Sequence, residues 1–183
     1  MASNKVNLGI GNATGMFYTA PVGTALPTSA ADALTSWTEV GAVTSDGITW
    51  STGKDSDLLR NWAKEPERVV SSDEGGTVKA SLLYTEQKTL ETIFGEDNVS
   101  VSAATSGHGK TISVTVEPGV SAEPAAFLFV MKDGEDMIFL GTTKGIITDL
   151  DDISFSPTEA IVWAPTIEAA AWTFTKDDGQ TTS

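Results

Sequence analysis

Apolar and polar residues alternate along short segments of this sequence. The segments 77–83 and 111–116 each place apolar residues at alternate positions. Successive side chains of a β-strand point to opposite faces, so this period predicts strands with one buried and one solvated face. Such strands are typical of antiparallel sheets, which indicates a chain built largely from sheets of that kind.

Turn residues separate further apolar segments. Asp133-Gly134 stands between two apolar runs and predicts a β-hairpin, because a type I′ turn needs positive φ at both central residues. Ser45-Asp-Gly47 marks a second turn. The predicted strands are 39–43, 47–50, 77–83, 111–116, 127–131, 137–140, 146–155, 160–167 and 171–175.

One segment, 85–95, has helical rather than strand periodicity. Thr85 is the predicted N-cap, and Gly95 stands where a glycine commonly ends a helix. The apolar residues of the predicted buried face are Leu90, Ile93 and Phe94. Many strands with a single helix predict an all-β, mainly antiparallel sandwich or barrel with one packed α-helix.

Composition divides the chain into an arm, a β domain and a tail. Residues 1–36 are rich in Gly, Ala, Thr, Pro and Ser, which predicts an extended N-terminal arm with a candidate strand at 15–21. Residues 37–178 form the predicted β domain, and 179–183 a frayed C-terminus. Within the domain, 51–75 is polar, has no sustained period and is predicted to be a long loop.

The net charge limits the partners that the chain can bind. Its 25 Asp and Glu residues against 11 Lys and Arg give a formal charge of −14 and a pI near 4.2. Gripping a nucleic-acid backbone requires Lys and Arg that displace counterions, so the sequence disfavours such binding. There is no cysteine, and no apolar run approaches the ~20 residues that span a bilayer.

No motif predicts catalysis, a cofactor or a metal site. Residues 104–111 end in Gly-Lys-Thr, as phosphate-binding loops do, but an alternating strand follows instead of the required helix. His108 is the one histidine, and no nucleophile motif accompanies it. The acidic turns 133–136 and 149–152 lack the spacing of an EF-hand calcium loop.

The order of the segments carries a resemblance. The polar stretch 51–75 lies between strands, the helix 85–95 follows, and 145–158 leads into further strands. From about residue 37 to 178, this order resembles the major tail proteins of siphophages, which form tail tubes. The segments that carry the resemblance are Glu39-Val-Gly-Ala-Val43, Gly47-Ile-Thr-Trp50, Thr77–Leu83, Thr85–Gly95 and Gly145–Thr158.

The resemblance implies the fold shared by phage tail tubes and type VI secretion tubes, and a structural rather than an enzymatic role. Six copies would close a ring, and stacked rings would enclose a lumen through which genome DNA passes without sequence-specific binding. The implied partners are further copies of the chain, a tape-measure protein, and tail-terminator and distal tail proteins. The implied location is the virion tail after assembly in the host cytoplasm, with no membrane and no cofactor.

The stretch 51–75 is the predicted contact between rings, because the matching loop of the family reaches the adjacent ring. Its polar ends suit two flexible arms, and its middle holds apolar residues and both arginines of the chain. We expect this loop to order only on assembly, when the contact offsets the entropy of ordering. The predicted inter-ring residues are Leu58, Leu59, Arg60, Trp62 and Arg68.

The lumen is predicted to be net negative, so that DNA phosphates are repelled and slide. The polar faces of the alternating strands and two nearby acids supply the candidates. The lumen-facing candidates are Glu39, Asp46, Thr77, Ser81, Thr111, Ser113, Thr115 and Glu117. Lys79 lies among them, does not suit such a wall, and is expected to face a neighbouring acid.

A second interpretation of the sequence is another β-sandwich of a virion or a cell surface, such as a tail terminator or a carbohydrate-binding module. The chain has five tryptophans, and exposed aromatic rings can form a platform for sugars. Hollow stacked rings would favour the tube, whereas a monomer that binds glycans would favour the second interpretation.

Overall fold

The described residues form twelve β-strands, one α-helix and one 3₁₀ helix. The computed structural model describes residues 17–60, 66–73, 75–116 and 122–178, with the backbone alone over 54–60 and 66–73. The strands are β1 (Phe17–Ala20), β2 (Thr38–Gly41), β3 (Val43–Ser51), β4 (Lys54–Arg60), β5 (Pro66–Asp73), β6 (Gly76–Leu82), β7 (Val99–Ser102), β8 (Thr111–Val114), β9 (Ala125–Asp133), β10 (Asp136–Leu150), β11 (Pro165–Ala169) and β12 (Thr173–Asp177). The helices are α1 (Gln87–Phe94) and the 3₁₀ turn Glu96–Asn98.

Two sheets share β10, whose 15 residues run from one into the other. The first sheet has the order β2-β1-β9-β10-β12, and the second continues from β10 through β11 and β6 to β3. β10 pairs with β12 over Met137–Gly141 and with β11 over Ile146–Leu150. All of these pairings are antiparallel, so the predicted all-β sandwich with one helix is confirmed.

The main core fills the space between the two sheets and α1. Three aromatic rings stack there, with the ring centroid of Phe17 4.7 Å from that of Phe129 and 5.8 Å from that of Phe127. Apolar side chains of β6, β10, β11 and α1 surround the stack, which confirms the buried face predicted for 77–83. They include Val78, Ala80, Leu82, Leu90, Ile93, Ile138, Leu140, Ile147 and Ile167.

A second apolar cluster covers the opposite face of the first sheet. Leu128 and Phe139 contribute from β9 and β10, and Trp37 and Leu26 pack onto them from the segment 21–37. β9 is therefore buried on both faces, which its continuous run of apolar residues requires.

The described part of the predicted N-terminal arm, 17–36, is part of the folded domain. β1 lies inside the first sheet between β2 and β9. Two backbone N–H groups of the segment that follows it bond to β10 and β12. Gly23 N–H donates to Thr143 O at 2.8 Å, and Ala30 N–H donates to the Asp177 carboxylate at 2.6 Å. The many small and polar residues of this segment predict an extended arm. Only a few widely spaced apolar residues, such as Leu26 and Trp37, pack it against the first sheet.

α1 closes the core beside β2 and differs from its prediction at its first turn. Thr85 does not cap the helix, because its hydroxyl accepts a hydrogen bond from Trp163 Nε1 at 3.1 Å. Gly95 ends the helix as predicted, with φ +89° and its N–H donating to Glu91 O. The buried hydroxyl of Thr89 donates to Val40 O at 2.6 Å and joins the helix to β2. No helix in the described part of the chain is long and apolar enough to cross a membrane.

Two predicted strands have different limits. The strand predicted at 146–155 begins earlier and ends at Leu150, and residues 151–164 form an irregular connection that includes an isolated bridge between Leu82 and Trp163. The strand predicted at 160–167 is Pro165–Ala169. The connection was mistaken for strand because its apolar residues Ile153 and Ile161 pack against the core without pairing.

Replacing Leu90 by Ala tests the packing of α1. Leu90 is 5% exposed in the main core, so we expect the free energy of unfolding to fall by about 2–5 kcal/mol in a denaturant melt. Phe94→Ala should cost less, about 1–3 kcal/mol, because Phe94 is partly exposed and makes an edge contact with Trp163 at a centroid distance of 5.8 Å. A larger loss at Phe94 than at Leu90 would contradict this arrangement.

Candidate functional site

The segment 51–75, predicted to be an irregular loop, contains a two-stranded β-hairpin. β4 and β5 pair antiparallel from Lys54↔Asp73 to Arg60↔Pro66. Among the described strands they pair only with each other, as a separate two-stranded sheet. The sequence has no sustained strand period there, so periodicity does not predict these strands.

The hairpin follows the β3–β6 ladder along the chain. β3 and β6 pair as far as Ser51↔Thr77, and β4 and β5 pair again from Lys54↔Asp73 as a separate sheet. The chain therefore enters and leaves the hairpin at paired positions of the second sheet.

Most of the predicted inter-ring residues lie on this hairpin. Leu58 pairs with Val69 and Leu59 with Arg68, and Arg60 ends β4. Trp62 lies outside the described residues. Because the structure gives the backbone alone here, their contact role stays a prediction.

Trp172 anchors the root of the hairpin, which is the stretch where it leaves the second sheet. Its indole Nε1–H donates to Gly76 O at 2.8 Å, and its ring lies 6.5 Å from that of Phe129 in the main core. Gly75 packs directly against β11: a Cβ there would stand 2.4 Å from Ala169 O. Only a residue without a side chain fits between the root and β11.

Gly75→Ala tests this close approach. The added methyl group would overlap backbone atoms of β11, so we expect a loss of about 1–3 kcal/mol in the free energy of unfolding. Gly107→Ala is the matched control, because a Cβ at Gly107 meets nothing within 4 Å, and its effect should stay within about 0.5 kcal/mol. Equal effects of the two substitutions would show that the root is not tightly packed.

The second sheet has one buried face and one polar face. Directly paired residues of antiparallel strands point to the same side, so Thr49, Lys79, Thr166 and Asp149 form one row across β3, β6, β11 and β10. Ser51, Thr77, Glu168 and Ile146 form a second row. We call this surface the polar face, and define it by Thr49, Ser51, Thr77, Lys79, Ser81, Ile146, Asp149, Thr166 and Glu168.

Charges on the polar face are unequal in number. Lys79 is its one cation, and Asp149 and Glu168 are its acids. Asp151, just past the end of β10, reaches Lys79 with an Oδ2–Nζ distance of 2.6 Å. The expectation that Lys79 faces a neighbouring acid is confirmed.

The eight lumen candidates are spread over several elements. Thr77 and Ser81 share the polar face. Glu39 lies in the first sheet opposite Tyr18, and burial, with the charge of Glu39 as a second cause, raises the pKa of that phenol. Asp46 is exposed in the irregular part of β3 between Val43 and Ile48.

The remaining candidates belong to a separate hairpin, β7–β8, beside α1. Thr111, Ser113 and Thr115 are exposed, whereas Val99 and Val114 pack against the core. Glu117 lies outside the described residues. The structure thus brings Thr77 and Ser81 onto one surface and places Thr111, Ser113 and Thr115 on another.

Sequence reasoning missed several residues of these surfaces. Glu168 could have been found from the alternation over 165–169. The side of Asp149 and Asp151 was hidden by a one-residue irregularity in β10 between Ile147 and Asp149. Trp172 gave no signal, because its partner Gly76 is distant in sequence.

The described residues hold no group of three or more His, Cys, Asp or Glu side chains placed to bind a metal ion. The acids of 149–152 include Asp151, which is paired with Lys79.

One known protein family matches this sequence. The model of a family described as phage tail tube protein matches residues 1–173. The match includes the N-terminal 36 residues, which the resemblance read from the sequence left out. No individual curated protein matches the chain.

Proposed function

Because the chain belongs to the phage tail tube protein family, and is thus a structural subunit that assembles with other tail proteins in the virion tail, we propose that six copies close a ring and that stacked rings form the tube of a siphophage. Head-to-tail contacts close into a ring when the rotation between neighbours closes. The lumen of this tube conducts genome DNA during ejection and holds a tape-measure protein beforehand.

The polar face is the wall of the lumen in this proposal. The observation that carries it is that both faces of the first sheet are covered, by the main core and by the segment 21–37, whereas no core cluster of the described residues covers the outer face of the second sheet. That face bears Ser, Thr and acidic residues, and its one lysine is paired. Such a wall is hydrated and repels phosphates.

The β4–β5 hairpin is the proposed contact between rings, with Leu58, Leu59, Arg60, Trp62 and Arg68 as its contact residues. Its support is its position in the chain, directly after the paired residues Ser51 and Thr77 of the proposed wall. Arg60 and Arg68 suit an acidic neighbour, because a guanidinium pairs with carboxylates through two parallel hydrogen bonds. Tail-terminator and distal tail proteins would meet the tube at its two ends, after assembly in the host cytoplasm.

Deleting residues 54–74 tests the tube and the hairpin together. The deletion leaves Thr52-Gly53-Gly75-Gly76 as a turn between Ser51 and Thr77, so the β3–β6 ladder should be kept. By electron microscopy, we expect the full chain to form hollow, stacked, six-fold rings and the shortened chain to form none while staying folded by circular dichroism. Deletion of 104–109 from the β7–β8 tip is the control and should leave tubes intact. Normal tubes from the chain without 54–74 would overturn the proposed contact.

Hydrogen exchange tests whether the hairpin is ordered by assembly. An isolated two-stranded hairpin is marginal in water, so we expect the amides of 58–68 to exchange fast in the free subunit and slowly in the tube. The amides of β9, which is covered on both faces, should be protected in both states. Equal protection of 58–68 in both states would show that assembly does not order it.

A further inference from the structure

We propose that the ion pair between Lys79 and Asp151 masks the one ammonium group of the polar face, and that this masking keeps DNA from binding to the tube wall. The inference rests on the proposed role of the polar face as the lumen wall. It adds a named pair of residues whose function is to withhold a cation from phosphates.

The first step is the position of Lys79. By register it lies in the middle of the second sheet, between Thr49 of β3 and Thr166 of β11, and its side chain is 47% exposed. No other Lys or Arg lies on β3, β6, β11 or residues 146–150, all of which the structure describes. Within these strand segments, an unpaired ammonium there would be the one cationic group able to hold a passing phosphate.

The second step is that Asp151 is the acid that holds Lys79. The Nζ–Oδ2 distance of 2.6 Å is that of a charge-assisted hydrogen bond. Asp149 lies two strands away in the same row, about 10 Å from Lys79, where salt screens most of its attraction. Glu168 is diagonal to Lys79, at roughly 7–8 Å between Cα atoms.

The third step is the effect of the pair on DNA. Binding of a phosphate to a lysine gains free energy by releasing counterions from the DNA, and a lysine already paired with a carboxylate must first lose that partner. An exposed pair gives a small effect at one site. Every subunit of a tube repeats it, so a long DNA would meet the same pair many times.

The test compares three variants that each remove one negative charge from the wall. Asp151→Asn frees Lys79, whereas Asp149→Asn and Glu168→Gln leave the ion pair in place. A short fluorescent DNA duplex is sedimented with assembled tubes at low and at high salt. We expect Asp151→Asn to raise the DNA retained at low salt at least about twofold, the size expected for one exposed pair, and the two controls to raise it less.

The double variant Asp151→Asn with Lys79→Met should return retention to that of the unaltered tube, because it removes the freed ammonium. The increase in Asp151→Asn tubes should disappear at high salt. Equal retention in Asp151→Asn, Asp149→Asn and Glu168→Gln tubes would overturn the masking and leave only the loss of net charge.

Thr77→Lys in a chain that also carries Glu168→Gln separates this inference from the proposed function. Glu168 lies directly opposite residue 77, so the second substitution leaves the added ammonium unpaired, and DNA retention should rise above that of Glu168→Gln alone if the polar face lines the lumen. Retention raised by Thr77→Lys but not by Asp151→Asn would overturn the masking alone. Retention raised by neither substitution would overturn the placement of the polar face in the lumen, and the masking with it.

Discussion

The burial of β9 on both faces determines how the rest of the chain is arranged. The first seven residues of β9, from Ala125 to Met131, are all apolar. Phe127 and Leu128 point to opposite sides of the sheet, and both are almost fully buried. A strand of this kind needs a cover on each side. The second sheet and α1 supply one cover, and the segment 21–37 supplies the other.

The free surface of the molecule follows from that arrangement. With both sides of the first sheet covered, the outer side of the second sheet is the strand face that neither core cluster of the described residues covers, and it carries the alternating polar and charged residues of β6 and β11. β3 and β6 lead directly into the separate β4–β5 hairpin. A lumen wall and an inter-ring contact built from one pair of strands would be mechanically coupled, and Trp172 and Gly75 lie where the two meet.

Local patterns in the sequence predicted those parts of the fold that local physics determines. The alternation over 77–83 identified β6 and its buried side, and Asp133-Gly134 identified the β9–β10 hairpin, with φ +63° at Gly134. The strands β4 and β5 could not be predicted in this way, because their sequence has no sustained alternation of apolar and polar residues. The assignment of Thr85 as a cap is wrong because of a contact distant in sequence. Trp163, 78 positions away, donates a hydrogen bond to the Thr85 hydroxyl.

The candidate site was only partly predictable, because membership of a face depends on register. The alternation of a single strand predicts that Thr77 and Ser81 share one face, and they do, whereas their place in a lumen stays a prediction. Predicting the partner of Lys79 requires the register between β10 and β11. One extra residue in β10 changes which of its side chains face outward. The acidity of the chain, −14 overall, therefore tells little about the wall by itself. In the proposed lumen, the encounter of the polar face with a phosphate would depend on whether Lys79 has a carboxylate within hydrogen-bonding distance. Asp151 supplies it, and the irregularity in β10 precedes this residue.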